Sequence, residues 1–170
     1  MEADNTTTTM TSTTPEPSPP VFEGSCFCRS LSWRLEGEPL ISIYCHCTIC
    51  QRMNGAPFNH GLHFPATSFS WTHQNPDAVF STPYLNPESQ WSTYRCQTCY
   101  TFIGGVNTVL NLWTLKAAHL SRDPETKLVK NADKIKATAH IFYDTRALDI
   151  PDGLPKWDGY ENQSNRLELP

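Results

Sequence analysis

The sequence predicts an all-β domain of short, twisted β-sheets stapled at two points, and three observations predict it. Prolines recur at Pro39, Pro57, Pro65, Pro76, Pro83 and Pro87, then at Pro124, Pro151 and Pro155. Each removes a backbone donor and crowds the preceding turn, so little room is left for a helix of ordinary length. Apolar residues instead step by two, as in Phe27, Leu31, Trp33 and Leu35 and again in Ile41 and Ile43, the period of a half-buried strand. Seven cysteines lie in tight clusters, Cys26 with Cys28, Cys45 and Cys47 with Cys50, and Cys96 with Cys99. They divide as four plus three, which suits one closed and one open zinc site: structural zinc takes four protein ligands, whereas catalytic zinc keeps three and a vacant corner.

Taken in order, residues 1–20 are rich in Thr and Pro and contain almost nothing to bury, so they read as a disordered tail. The folded zinc-binding domain is expected over 21–158, with 159–170 as a polar C-terminal tail. Alternation through Leu35 makes a strand in which Cys26 and Cys28 share the face opposite the apolar one. Ile41 and Ile43 lead in the same way to Cys45 and Cys47 on one side. Further strands are expected at Phe58–Phe64, Ser68–Trp71, Ala78–Thr82, Trp91–Tyr94, Val106–Leu115 and Thr138–Tyr143, separated by Gly, Pro, Asn and Asp. Short helical turns fit after Cys50 and near Lys116–Leu120. Trp33, Trp71, Trp91 and Trp113 all fall in strands, as core or rim packing. No internal repeat is present.

The 170 residues suffice for one domain with a real core. A net charge of -4, with 13 Lys and Arg scattered along the chain, gives no electrostatic footprint for nucleic acid or an anionic membrane. The amino terminus carries Glu2 and Asp4 where a secretory signal carries positive charge, and no apolar stretch approaches the ~20 residues of a membrane span. A cytoplasmic location is therefore expected. In such a reducing compartment an odd number of cysteines at CxC and CxxC spacing points to metal ligands rather than disulfides.

Cys96-Gln-Thr-Cys99 has the spacing of a zinc knuckle, and Cys26 with Cys28 can complete it. Cys45, Cys47 and Cys50 form a three-thiolate set without outside help. That is the simplest partition, although spacing alone leaves an exchange of pairs open. Three thiolates on a divalent ion leave a net charge of about -1 and a poor Lewis acid, ill suited to activating water. A soft ion with an open corner is better suited to a fourth sulfur, holding an incoming thiol as thiolate beside an electrophilic carbonyl.

The segments GSCFC, CHCTICQRMNGAPF, CQTC, AHIF and DIPDGLP together resemble the glutathione-dependent formaldehyde-activating enzyme family, also called the centromere protein V domain family, over about residues 22–158. The resemblance implies that family's β-sheet fold with two zincs per chain, Cys26, Cys28, Cys96 and Cys99 at the structural ion and Cys45, Cys47 and Cys50 at the ion facing substrate. It implies a lyase, forming S-(hydroxymethyl)glutathione from glutathione and formaldehyde or acting on a related small carbonyl or thiol compound. The chain departs from the family pattern at Arg29 and Tyr100, where Gly is common, and at Gln51, where Arg is common. A bulky residue resists the positive φ of a knuckle glycine, so the turn after Cys99 is expected to differ in shape. Gln51 removes a cation that a dicarboxylate tripeptide needs, and Arg52 is the candidate replacement at a glutathione carboxylate.

Among the histidines, His46 falls on the strand face opposite its flanking cysteines and is expected beside the metal or exposed. His60 shares a face with Phe58, Leu62 and Phe64, as a hydrogen-bonded core residue would. His63 is expected to be solvated, His140 to serve packing or the site, and Asp149, Asp152, Gly153 and Pro155 to form a turn without chemistry. Two other classes compete. A non-catalytic zinc module that binds another protein would close both metal sites. A thiol redox enzyme needs a free cysteine of low pKa, and seven metal ligands leave none.

Overall fold

The computed structural model describes residues 18–75, 78–83 and 91–168. Most of the expected amino-terminal tail, residues 1–17, lies outside them. Among the described residues, ten strands build two sheets. The smaller joins β1 (Val21–Ser25), β2 (Ser32–Glu36) and β5 (Phe69–Trp71) in the order β1-β2-β5. The larger has seven strands, β3 (Ile41–Cys45), β4 (Asn59–Pro65), β6 (Val79–Pro83), β7 (Trp91–Cys96), β8 (Phe102–Asn107), β9 (Leu112–Lys116) and β10 (His140–Ile141). Their order is β10-β3-β4-β9-β8-β7-β6, and the β10–β3 pairing is the parallel one. One short helix, α1 (Thr48–Asn54), follows β3 and ends at Gly55 in the left-handed conformation. No helix among the described residues is long and apolar enough to cross a membrane.

Alternation explains the layering. Leu62 and Phe64 of β4 and Trp113 and Leu115 of β9 point to one face, where they meet Phe22, Trp33 and Leu35 of the small sheet in the main core. Each such side chain contributes about 1.5–3 kcal/mol on burial, so this interface is the chief source of stability. The other face of β3, β4 and β9 carries a different set: Ile43 pairs with Gly61, Gly61 with Lys116, and His63 with Thr114. Glycine at 61 presents no side chain there, which keeps that face open.

Several sequence expectations are corrected. Cys26 and Cys28 do not lie in a strand: residues 26–31 turn between β1 and β2, with Cys26 N–H donating to Leu31 O and Arg29 N–H to Cys26 O. Phe27, read as part of the apolar period, is 90% exposed. Val106–Leu115 is a hairpin rather than one strand, because Asn107 Oδ1 accepts from the N–H groups of Val109 and Leu110 at 3.0 and 2.9 Å and bends the chain. The strand at Thr138–Tyr143 shrinks to His140–Ile141 and stops before Phe142, which takes a positive φ of 53°. Residues 159–168, expected as a tail, fold back: Asp158 N–H donates to Asn165 O at 3.0 Å and Leu167 N–H to Lys156 O at 2.7 Å.

The turn after Cys99 also differs from expectation, since it keeps the left-handed backbone without glycine: Arg29 has φ 65° and Tyr100 φ 57°. A side chain there costs about 1 kcal/mol. Tyr100 is 74% exposed and so loses little packing when removed. Tyr100→Gly is accordingly expected to raise the melting temperature by about 2 °C, after allowance for glycine's extra freedom in the unfolded chain. Thermal unfolding followed by circular dichroism checks this, and a fall in melting temperature would mean that the ring contributes a contact.

Candidate functional site

The four-cysteine cluster joins the two sheets. Cys26 and Cys28 stand in the β1–β2 turn, while Cys96 ends β7 and Cys99 lies in the turn before β8. Their sulfurs all lie within 4.8 Å of one another, with Cys26–Cys28 at 3.6 Å and Cys28–Cys96 at 3.7 Å. Metal–sulfur bonds of ~2.3 Å at tetrahedral angles set sulfurs about 3.8 Å apart, so the cluster could hold a metal ion. Donors surround it as thiolates require: Leu31 N–H to Cys26 Sγ at 3.3 Å, Thr98 and Cys99 N–H to Cys96 Sγ at 3.4 and 3.5 Å. Burial pushes the Cys26 thiol up to about 11. Burial also works against ionisation of Cys99, but hydrogen bonds led by that of the Thr101 hydroxyl outweigh it and bring Cys99 down to about 5.

The three-cysteine cluster is built by the passage from strand to helix. Cys45 is the last residue of β3, Cys47 is the N-cap of α1, and Cys50 lies one turn on. The Cys47 sulfur accepts the Cys50 N–H at 3.3 Å, the bond that an N-cap side chain makes. All three sulfurs fall within 4.8 Å of one another, and no His, Asp or Glu among the described residues joins them. Bonds from Cys45 and then Cys50 hold Cys47 far down, to about 2, whereas Cys45 is raised by sharing hydrogen with Cys47 and Cys50 and by burial. Three sulfurs this close disfavour one another's ionisation, and a cation replacing their protons would relieve that repulsion. The donor set therefore fits a metal ion.

Beside this cluster lies a cavity of about 340 Å³, whose floor is the open face of the large sheet. Gly61, His63, Thr114 and Lys116 form that floor, and Trp91, Phe102, Phe142 and Tyr160 are among its walls. Lys116 is 5% exposed and its ammonium sits 5.3 Å from the Phe102 ring centre. Burial lowers its pKa, and the charges of Cys50, Cys45 and Cys47 pull it back up. Sequence reasoning missed Lys116 as a site residue, although it follows Thr114 by two along β9 and so shares its face. It missed Tyr160 as well, having placed it in a tail.

Arg52 is exposed at the end of α1 and does not line the cavity. Gln51 acts on the backbone instead: its amide donates to His46 O at 2.5 Å and Thr145 O at 2.9 Å, fastening α1 to the segment after β10. His46 is fully buried, not exposed, and its Nε2 shares a hydrogen with His140 Nδ1 at 2.8 Å. His140 Nε2 in turn donates to the Asp152 carboxylate at 2.8 Å, and Lys156 Nζ reaches the other Asp152 oxygen at 3.1 Å. Asp152, expected to be a mere turn residue, thus anchors from the surface a relay through two buried histidines that holds the residue between Cys45 and Cys47. Burial, reinforced by His140, brings the His46 pKa down to about 4 and keeps the ring neutral. His60 bonds Ser42 Oγ at 2.9 Å, as a core histidine does. His63, expected in solvent, faces the cavity, and burial lowers its pKa to about 4.

Among curated proteins none matches the chain significantly. Of solved structures, a crystal structure of a Rhodobacter sphaeroides protein is similar at 16% identity with a TM-score of 0.45, covering 61% of this chain and 93% of that one. The family described as glutathione-dependent formaldehyde-activating enzyme matches residues 21–145. With that match over most of the chain, and both of its cysteine clusters gathered in space, the protein belongs to the glutathione-dependent formaldehyde-activating enzyme family.

Proposed function

We propose that the protein is a cytosolic, zinc-dependent enzyme of carbon–sulfur lyase type, which forms or cleaves S-(hydroxymethyl)glutathione or a related adduct of a small carbonyl compound and a thiol. The observation that carries this reading is the set of three convergent sulfurs with no fourth side-chain donor among the described residues, at the edge of a cavity. Cys26, Cys28, Cys96 and Cys99 would hold a structural zinc, and Cys45, Cys47 and Cys50 a second one. Zinc on three thiolates favours a further soft ligand and keeps a thiol ionised at neutral pH, where a free thiol of pKa ~8.5 is mostly protonated.

The chain's own residues supply the rest. In the forward direction the thiol sulfur bonds to the carbonyl carbon, the carbon–oxygen π pair moves to oxygen, and that oxygen takes a proton from solvent. Reversal breaks the carbon–sulfur bond. Lys116 offsets negative charge at the cluster, the aromatic walls offer an apolar surface beside it, and the His46–His140–Asp152 relay fixes the loop that presents Cys45 and Cys47. A non-catalytic interaction module would need a fourth ligand to close this site.

Cobalt substitution tests the reading. With two cobalt ions per chain, addition of glutathione or another thiol is expected to intensify and shift the sulfur-to-cobalt absorption band. A spectrum unmoved by every thiol, at any concentration up to tens of millimolar, would sink it.

A further inference from the structure

The charge inventory of the cavity speaks to what enters it, given the thiol-binding reading above. All 13 Lys and Arg of the chain lie within the described residues, and Lys116 is the only one of them lining the cavity. Neither Asp nor Glu lines it among the described residues. His63 adds no charge at neutral pH, since burial, with Lys116 as a second cause, keeps its ring neutral. The remaining lining is largely apolar and aromatic, with Ile43, Met53, Trp91, Phe102, Phe142 and Tyr160 among it, and its other polar side chains, Asn54, Asn59, Thr93 and Thr114, are uncharged.

Lys116 is already engaged. Three thiolates around a divalent ion carry about one negative charge, which the buried ammonium of Lys116 neutralises. A bound thiolate restores one negative charge, and no second lysine or arginine lines the cavity to meet another anion. A carboxylate brought into this space would find only uncharged donors, those of Asn54, Asn59, Thr93 and Thr114, and no cation to offset its desolvation, which is unfavourable. Glutathione has two carboxylates, and Arg52, the residue expected to meet one, stands outside.

We infer that the portion of the substrate held in this cavity is an uncharged, apolar or aromatic thiol adduct, and that Lys116 balances the charge of the sulfur cluster rather than anchoring a carboxylate. Thiols of aryl or alkyl character, and their adducts with small aldehydes, match the walls. A charged tripeptide does not.

The test uses the full chain loaded with cobalt and titrated with benzyl mercaptan, 3-mercaptopropionate and glutathione. Dissociation constants are read from the sulfur-to-cobalt band and corrected for each thiol's own ionisation. Benzyl mercaptan is expected to bind roughly tenfold more tightly than either carboxylate thiol, the scale set by burying one ring. Equal or tighter binding of 3-mercaptopropionate or glutathione overturns the inference and leaves the thiol-binding reading standing. Failure of all three to move the band overturns both. Lys116→Gln adds a second arm: it is expected to weaken the three thiols by a similar factor, because it acts on the sulfur they share. A loss confined to the two carboxylate thiols would identify Lys116 as a carboxylate anchor and overturn the inference.

Discussion

Cys96→Ser is expected to unfold the domain. Cys96 is fully buried at the end of β7, and its sulfur lies 3.7 Å from that of Cys28 in the turn between β1 and β2. The cluster therefore ties the small sheet to the large one, across the same interface that Phe22, Trp33, Phe64 and Leu115 fill. A structural zinc binds with an apparent free energy of about 10–16 kcal/mol, whereas a whole domain is stable by about 5–15 kcal/mol. Losing even half of the former removes most of the latter. Serine offers a harder oxygen of higher pKa, and the sulfurs of buried Cys26, half-buried Cys99 and exposed Cys28 then remain without their charge partner. Circular dichroism and metal analysis check this: the variant should lose its cooperative melting transition and its metal together. A drop of only a few degrees, with two metals retained, would show that the interface stands without the staple.

How far the sequence alone reaches is clearest at particular residues. The clusters themselves were legible because vicinal spacing is local, but which pairs share a site was not: spacing left an exchange of pairs open, and only the fold brings Cys26 and Cys28 to Cys96 and Cys99. The strands of the large sheet were legible wherever alternation continued to a real boundary, as in β3 and β4. It misled at Phe27, where an aromatic residue happens to keep the period of two inside a turn, and at Val109 and Leu110, which are exposed tips of the β8–β9 hairpin. Asn107 was the available signal there, since its side chain bonds forward along the backbone. His46 was only half legible, as beside the metal or exposed, for another reason. Its face could be read from the strand period, but what covers that face comes from Asp152, more than a hundred residues away in sequence, through His140. Lys116 was hidden similarly: β9 reaches the cluster only across β4, a pairing that no local pattern specifies.

Cys50→Ser is expected to have the opposite outcome from Cys96→Ser, abolishing activity while the fold survives. The sulfur of Cys50 faces a cavity and spans no interface between sheets. Helix α1 keeps its place by bonds that do not involve it, those of the Gln51 amide to His46 O and Thr145 O and the Thr145 hydroxyl to His46 O at 3.0 Å. The Cys50 backbone also remains held, since Asn54 Nδ2 donates to Cys50 O at 2.6 Å. Serine is a poor ligand for a soft ion, and two remaining thiolates, with no further side-chain donor among the described residues, are not expected to retain the metal. Metal content should fall from two ions per chain to one, and turnover of the carbonyl–thiol adduct by about 10²–10³-fold or more, the scale seen when a principal electrostatic element is removed. The melting temperature should shift by only a few degrees, because the lost ion holds one short helix rather than the core. Unfolding as complete as that expected for Cys96→Ser would make the middle cluster a second staple, and the cavity beside it would then have no chemistry to perform.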